Sequence, residues 1–231
     1  MACLVIGHRG TASASPENSL LAFQAAVDQG ADGVELDVRR TADGAMAIVH
    51  DEALPDGRLV VETRLAELPD HVPALAEVLD TCRTLQVVNI EIKNWPADAD
   101  FDESLTLAGE VVGLLESRGD LGTGRMLVSC FHRPTVDLVH ELAPGLPTAL
   151  LLGFGGEPHE LVQKAAERGH VAVHPHFALV DEVFVRVAHD VGLAVNVWTV
   201  DEPDAIRRLA EMGVDGIVTN VPDIALEALG R

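Results

Sequence analysis

A chain of 231 residues with 48% hydrophobic content is too apolar to be disordered and long enough to bury a large core, at about the length of one α/β barrel. Its 37 acidic against 16 basic side chains give a formal net charge of -21, which excludes nucleic acid and an anionic membrane as general partners and obliges any anionic ligand to find a local cation. Cys3, Cys82 and Cys130 are widely spaced and form neither a disulfide framework nor a zinc knuckle, so a reduced, cytoplasmic setting is expected.

The apolar run before Gly7-His8-Arg9-Gly10 has no basic flank and is too short for a signal peptide or a membrane span; it reads as a first strand over residues 3–7. Ser15-Pro16-Glu17-Asn18 is a turn that caps a helix over 19–29, which Gly30 stops. From Gly33 an apolar, β-branched run carries Glu35 and Asp37 two apart, so both carboxylates leave one face of a strand. The turn Thr41-Ala42-Asp43-Gly44 returns the chain through a short strand over 45–49 that brings His50 back to the same end. An irregular stretch over 52–71 and a helix over 73–81 follow. Residues 87–93 repeat the alternation, with Glu91 and Lys93 on one face. Helices over 102–117, 134–142, 159–168, 181–190 and 203–211 then alternate with strands over 125–130, 148–152, 171–174, 194–200 and 216–219, and a last helix begins at Pro222. Eight major strands, each followed by a helical pattern, have the rhythm of a closed parallel sheet. The expectation is a TIM (β/α)8 barrel, a single domain over 1–231, with a β-hairpin and loop excursion after the second strand lying over its mouth.

In such a barrel chemistry belongs at the carboxyl ends of the strands. There the sequence puts His8 and Arg9, then Glu35, Asp37 and His50, Glu91 and Lys93, Ser129, Asn196 and Trp198. Taken alone, Glu35 and Asp37 also fit a half-exposed edge strand, and His50 a satisfied loop histidine. Together they are harder to dismiss, because buried charges are rare unless paired or bound to metal. Three carboxylates with no cysteine nearby make a hard oxygen site suited to Mg²⁺ or Ca²⁺. Arg9 and Lys93 supply cations for a phosphate against such an ion, and two histidines can divide the proton transfers of phosphodiester cleavage.

His8-Arg9-Gly10, Pro16-Glu17-Asn18-Ser19, Glu35-Leu36-Asp37-Val38 with Thr41 and Asp43-Gly44, His50-Asp51, Glu91-Ile92-Lys93, Val197-Trp198-Thr199-Val200 and the run from Gly213 to Pro222 occur in that order over nearly the whole chain. In this they resemble the glycerophosphodiester phosphodiesterase family. The resemblance implies a metal-dependent TIM barrel that hydrolyses glycerophosphodiesters to sn-glycerol 3-phosphate and an alcohol. It makes Glu35, Asp37 and Glu91 the ligands of Mg²⁺ or Ca²⁺, and His8 and His50 the acid/base pair, with their order open. Arg9 and Lys93 become phosphate contacts, and Trp198 with Phe131 the lining of a glycerol pocket. The chain departs from the family where Ser19 and Asn220 replace a frequent Thr and Asp, changes expected to be tolerated because neither is assigned to the metal. Residues 52–58 also replace a fuller arginine- and threonine-bearing stretch, which puts any contact there to the alcohol in doubt.

Glu17 and Asn18 are expected to cap the first helix or brace His8 or Arg9 rather than touch substrate, and Asp51 to support His50 or orient a water on the metal. His174 and His176 flank Pro175 at a strand end, but a second metal site there would need partners the sequence does not offer. His132, His140, His159, His170 and His189 are expected at the surface, and residues 126–128 in the core. A lysophospholipid cleaved at the same phosphate is the alternative substrate; it needs an apolar rim, which residues 52–71 do not provide. A non-catalytic ligand-binding barrel is the other alternative, and such a descendant would normally have lost one of the five assigned metal and histidine positions. The expected partner is therefore a small glycerophosphodiester, with no nucleic acid and no stable membrane association.

Overall fold

Among the described residues of the computed structural model, which are 3–13, 16–155 and 157–231, eight parallel strands close into a barrel. In chain order they are β1 (Leu4–His8), β2 (Gly33–Arg40) and, after an antiparallel β3 (Met46–Ile48), β4 (Val87–Ile92), β5 (Met126–Cys130), β6 (Thr148–Leu152), β7 (Ala172–Pro175), β8 (Ala194–Val197) and β9 (Gly216–Thr219). β1 pairs with both β9 and β2, so the sheet has no parallel edge. Around it run α1 (Leu20–Asp28), α2 (Leu75–Thr81), α3 (Thr106–Arg118), α4 (Arg133–Leu142), α5 (Pro158–Glu167), α6 (Glu182–Asp190), α7 (Pro203–Glu211) and α8 (Pro222–Ala228). None of these helices is long and apolar enough to cross a membrane.

Period-two alternation decides which residues become core and which become site. Val34, Leu36 and Val38 of β2 turn outward into the cluster shared with the helices, where Phe23, Val78 and Leu79 are fully buried, while Glu35, Asp37 and Arg39 turn to the barrel interior. Burying each such large apolar side chain stabilises the fold by about 1.5–3 kcal/mol. The register then brings the polar set together: His8 lies beside Glu35, and Asp37 beside Glu91.

Most element boundaries shift by one or two residues, and three departures have a clear local cause. Ser19, not the preceding turn, caps α1 by accepting from the Ala22 amide, and the expected capping residue Ser15 lies outside the described residues. α3 starts at Thr106 instead of 102 because the Asp102 carboxylate holds the amides of Ser104 and Thr106 at 2.8 Å, fixing a turn that leaves Leu105 at φ 57°. β8 ends at Val197; Trp198 follows it through a single parallel bridge to His176 and donates its indole N–H to the His174 carbonyl at 2.7 Å. The excursion after β3 is not loose: Leu54, Val60 and Leu68 bury themselves with Ala47 in a small core of their own.

Candidate active site

Glu35 and Asp37 from β2 and Glu91 from β4 each offer a carboxylate oxygen within 4.8 Å of the others, and all three residues are buried. Asp37 is oriented by Asn18, whose side-chain amide donates to Oδ2 at 2.8 Å. Lys93 donates to Glu91 Oε1 at 2.7 Å and stands 3.5 Å from Asp37 Oδ1. Arg9 Nε lies 3.1 Å from Asp37 Oδ2, close enough for an ion pair but not aligned as a hydrogen bond. The expected phosphate contacts thus stand directly over the carboxylates. Burial, then the charges of Asp37 and Glu91, pushes the Glu35 carboxyl well above its usual range; burial raises Glu91 too, with Lys93 opposing. Asp37 goes the other way: burial would raise it, but Lys93 and Arg9 outweigh that and hold it low.

Glu35 Oε1 is buried without a hydrogen-bond partner among the described residues, a costly state that a cation on that oxygen would relieve. Three carboxylates facing two fixed cations leave one net negative charge; a divalent ion makes it one positive, the charge a phosphodiester anion neutralises. An all-oxygen donor set of this kind suits Mg²⁺ or Ca²⁺, so the residues present fit such an ion.

The backbone that carries this site is tightly constrained. A side chain at Gly7 would collide with the Gly10 carbonyl, and at Gly10 (φ 90°) it would meet the Ala22 backbone at 2.5 Å. Only glycines let α1 come this close to the end of β1. Between them Arg9 adopts φ 52°, which aims its amide at Glu35 Oε2, 3.2 Å away.

The two histidines flank the carboxylates with different partners. His8 Nδ1 lies 2.7 Å from Asn220 Oδ1, and the Asn220 amide nitrogen donates to Asp201 at 2.7 Å, so the Asn220 oxygen is left to accept and Nδ1 carries the proton. Its Nε2, 3.9 Å from Glu35 Oε2, is then the free lone pair facing the site. Burial, with Arg9 adding to it, lowers the His8 pKa and keeps the ring neutral. Asn220 therefore bears on the chemistry although it touches no metal ligand: where an aspartate would favour the charged ring, the amide does not. His50 Nδ1 instead faces the Asp51 carboxylate at 2.7 Å, so a positive ring there has a counter-charge. Of the two roles expected for Asp51, the contact it makes is the one with His50. Glu17 braces Arg9 at 2.6 Å, and neither it nor Asn18 caps the helix.

Arg39 was not anticipated, though it extends the Glu35, Asp37 alternation by one step. It is 2% exposed; its Nε donates to the His50 carbonyl at 2.7 Å, and its guanidinium grips Asp100 at 2.6 Å and Asp98 at 2.9 Å. The loop bearing His50 is thereby tied to the loop after β4. Arg39→Met is expected to cost about 3–5 kcal/mol in urea unfolding, since it strands two carboxylates, and to lower kcat by displacing His50. Wild-type stability in this variant would show the clamp to be idle.

The glycerophosphoryl diester phosphodiesterase family matches residues 8–224 of the chain. The chain belongs to this family. A glycerophosphodiester phosphodiesterase of Caldanaerobacter subterraneus subsp. tengcongensis is 30% identical, over 100% of this chain and 99% of that protein. Another from Bacillus altitudinis is 31% identical over 96% of each. The crystal structure of a protein from Silicibacter pomeroyi DSS-3, provisionally named a glycerophosphoryl diester phosphodiesterase, superposes with a TM-score of 0.88 at 29% identity, covering 99% of this chain and 93% of that one.

In this phosphodiesterase barrel Trp198 and Phe131 meet edge to face at 5.5 Å and line a cavity of about 70 Å³ with His8, Arg9, His50, Glu35 and Glu91. Not every polar residue read as lying at the rim reaches it. Ser129 is fully buried with an unpartnered hydroxyl, and Asn196 is buried where its amide nitrogen donates to His174 Nε2 at 3.0 Å. His170 is not at the surface either: it is 4% exposed and bonded to Thr148 and Asp137. His132 and His140 are half-buried, His159 and His189 exposed, and Leu127 is only half-buried beside the core residues Met126 and Val128.

Among the described residues His174 gathers no metal-ligand partners; it is a neutral, buried ring in the wall of the polar cavity, whose pKa burial pushes down from 6.5 to about 3. Because the unfolded chain takes up a proton below pH 6.5 that the folded chain refuses, this residue stabilises the fold above that pH and its contribution is lost as the pH falls toward 3. The slope is about 1.4 kcal/mol per pH unit. Urea unfolding in EDTA at pH 7 and pH 5 should therefore show an acid loss roughly 2 kcal/mol smaller in His174→Gln than in the parent; equal losses would contradict a neutral buried ring.

Proposed function

We propose that the chain hydrolyses glycerophosphodiesters to sn-glycerol 3-phosphate and an alcohol, with Glu35, Asp37 and Glu91 holding one divalent cation, Mg²⁺ or Ca²⁺, and His8 and His50 handling the protons. The observation that carries this reading is the carboxylate cluster, with its oxygens within 4.8 Å of one another, sharing a cavity with two imidazoles and contacted by Arg9 and Lys93. The relatives' activity supports it. When bound, the cation would polarise the phosphoryl oxygens and offset their charge. Arg9 and Lys93 hold the phosphate anion, and Trp198 and Phe131 shape the pocket for the glycerol. His8 Nε2, neutral and unprotonated, takes a proton from the attacking water as its oxygen bonds to phosphorus. The bond from phosphorus to the alcohol oxygen breaks, and His50, its Nδ1 facing Asp51, gives a proton to that oxygen. Asn220 keeps the His8 ring in its working tautomer, and Asp51 orients the His50 ring. The three free thiols support a reduced, cytoplasmic setting for one barrel domain acting on a small substrate.

Phosphorus NMR of the purified chain with glycerophosphocholine and Mg²⁺ or Ca²⁺ tests this reading. The expected product is sn-glycerol 3-phosphate with free choline. Phosphocholine in its place, or an unchanged spectrum, would contradict it.

A further inference from the structure

The polar cavity occupies one side of the barrel mouth. His50, Lys93 and Phe131 also line a second cavity, of about 690 Å³, on the other side. There Arg39 of β2 and Glu91 of β4 still reach the lining, but β6 ends in hydrocarbon: Leu150, Leu151 and Leu152 finish it and form the cavity's wall. Trp95 and Phe154 stand at its edge with 49% and 74% of their surface exposed. Edge-on contacts from Trp198 to Phe131 at 5.5 Å and from Phe131 to Trp95 at 6.2 Å run an aromatic strip from the polar cavity into the large one. An apolar hollow rimmed by exposed aromatics and joined to a reactive site is what a substrate hydrocarbon would cover. Its charged neighbours are mostly engaged already, Arg39 with Asp98 and Asp100, Arg133 with Asp137 and Asp51 with His50; among the described residues Glu52 has no ionic partner. Glu52 and the exposed aromatics are what a small cationic alcohol would also meet there, which makes glycerophosphocholine the competitor in the test. The apolar rim sought in residues 52–71 lies instead on the β4, β5 and β6 loops.

Resting on the phosphodiesterase reading above, we propose that this cavity binds the hydrocarbon arm of a phosphodiester whose other arm is small and polar, so that single-chain, lipid-like glycerophosphodiesters are preferred over those of small charged alcohols. The hydrocarbon can come from an alkyl alcohol esterified to glycerophosphate or from an acyl chain on the glycerol; both present the same methylenes to the leucine wall.

The test is kcat/KM with Mg²⁺ for the methyl, hexyl and decyl diesters of sn-glycerol 3-phosphate, for 1-acyl glycerophosphomethanols of matching lengths and for glycerophosphocholine, all kept below micelle formation. Each buried methylene should multiply kcat/KM roughly two- to fourfold, so at least one series should rise about tenfold or more from its shortest to its six-carbon member. Which series rises tells where the hydrocarbon is attached. Trp95→Ser and Phe154→Ser, at exposed positions where folding is not at stake, should flatten that rise. Turnover that is flat along both series, or fastest with glycerophosphocholine, would overturn the proposal while leaving the phosphodiesterase reading intact. Failure to cleave any member would sink that reading itself. Binding of methyl, hexyl and decyl phosphate, followed by tryptophan fluorescence, then still decides the cavity: affinity rising with chain length upholds its hydrocarbon preference, and affinity independent of chain length defeats it.

Discussion

His8→Ala and His50→Ala should each lower kcat for a glycerophosphodiester by about 10²–10⁴-fold while leaving the fold intact, the range that a positioned acid or base supplies. The two losses should not multiply in the double variant, because both rings serve one proton relay. Their environments separate the roles. His8 is kept neutral by burial and by an amide acceptor, Asn220, whereas His50 sits at 36% side-chain exposure against a carboxylate. A substrate with an acidic leaving alcohol, such as a nitrophenol, needs no proton from the departing side and should therefore rescue much of the His50→Ala defect and little of the His8→Ala defect. Equal rescue of both would reverse or erase the assignment, and circular dichroism of each variant guards against simple misfolding.

Glu35→Gln should act with opposite signs on activity and stability. Turnover should fall on the order of a thousandfold, matching the several kcal/mol that a Lewis acid contributes to a phosphoryl transition state. In EDTA, however, the variant should be more stable than the parent by about 1–3 kcal/mol, or several degrees in Tm. The reason is local. Glu35 is buried with one unpartnered oxygen and repelled by Asp37 and Glu91, while a glutamine keeps an acceptor for the Arg9 amide and turns a donor toward the other carboxylates. Adding Mg²⁺ or Ca²⁺ should raise the parent's Tm and leave the variant's unmoved. A variant less stable than the parent in EDTA would mean that Glu35 is a structural residue rather than a strained ligand.

The barrel was legible because its evidence is local. Short β-branched runs bounded by glycine and proline, each followed by a helical period, depend only on neighbours in the chain, and all eight expected parallel strands are present. Glu35 and Asp37 could be paired by period two, and Glu91 joined to them once the barrel was assumed, because β4 lies next to β2. What stayed hidden depends on closure. Asn220 reaches His8 across 212 positions only because β9 returns to β1, so a residue that looked peripheral is the one that fixes the tautomer. Arg39 continued a visible alternation, but its meaning lies in Asp98 and Asp100, about sixty residues on. Leu150, Leu151 and Leu152 read only as part of a strand, since nothing in three leucines tells that their far end opens on a cavity. His170 looked like a helix-flanking surface residue until Thr148 and Asp137 enclosed it.

The most direct measurement is a calorimetric titration of Mg²⁺ and Ca²⁺ into the EDTA-stripped, dialysed chain, beside Asp37→Asn. Binding of a single ion per chain, lost in the variant and tightened by sn-glycerol 3-phosphate, is the predicted result. Absence of binding in the parent, or equal binding in Asp37→Asn, would contradict a divalent ion gripped by Glu35, Asp37 and Glu91.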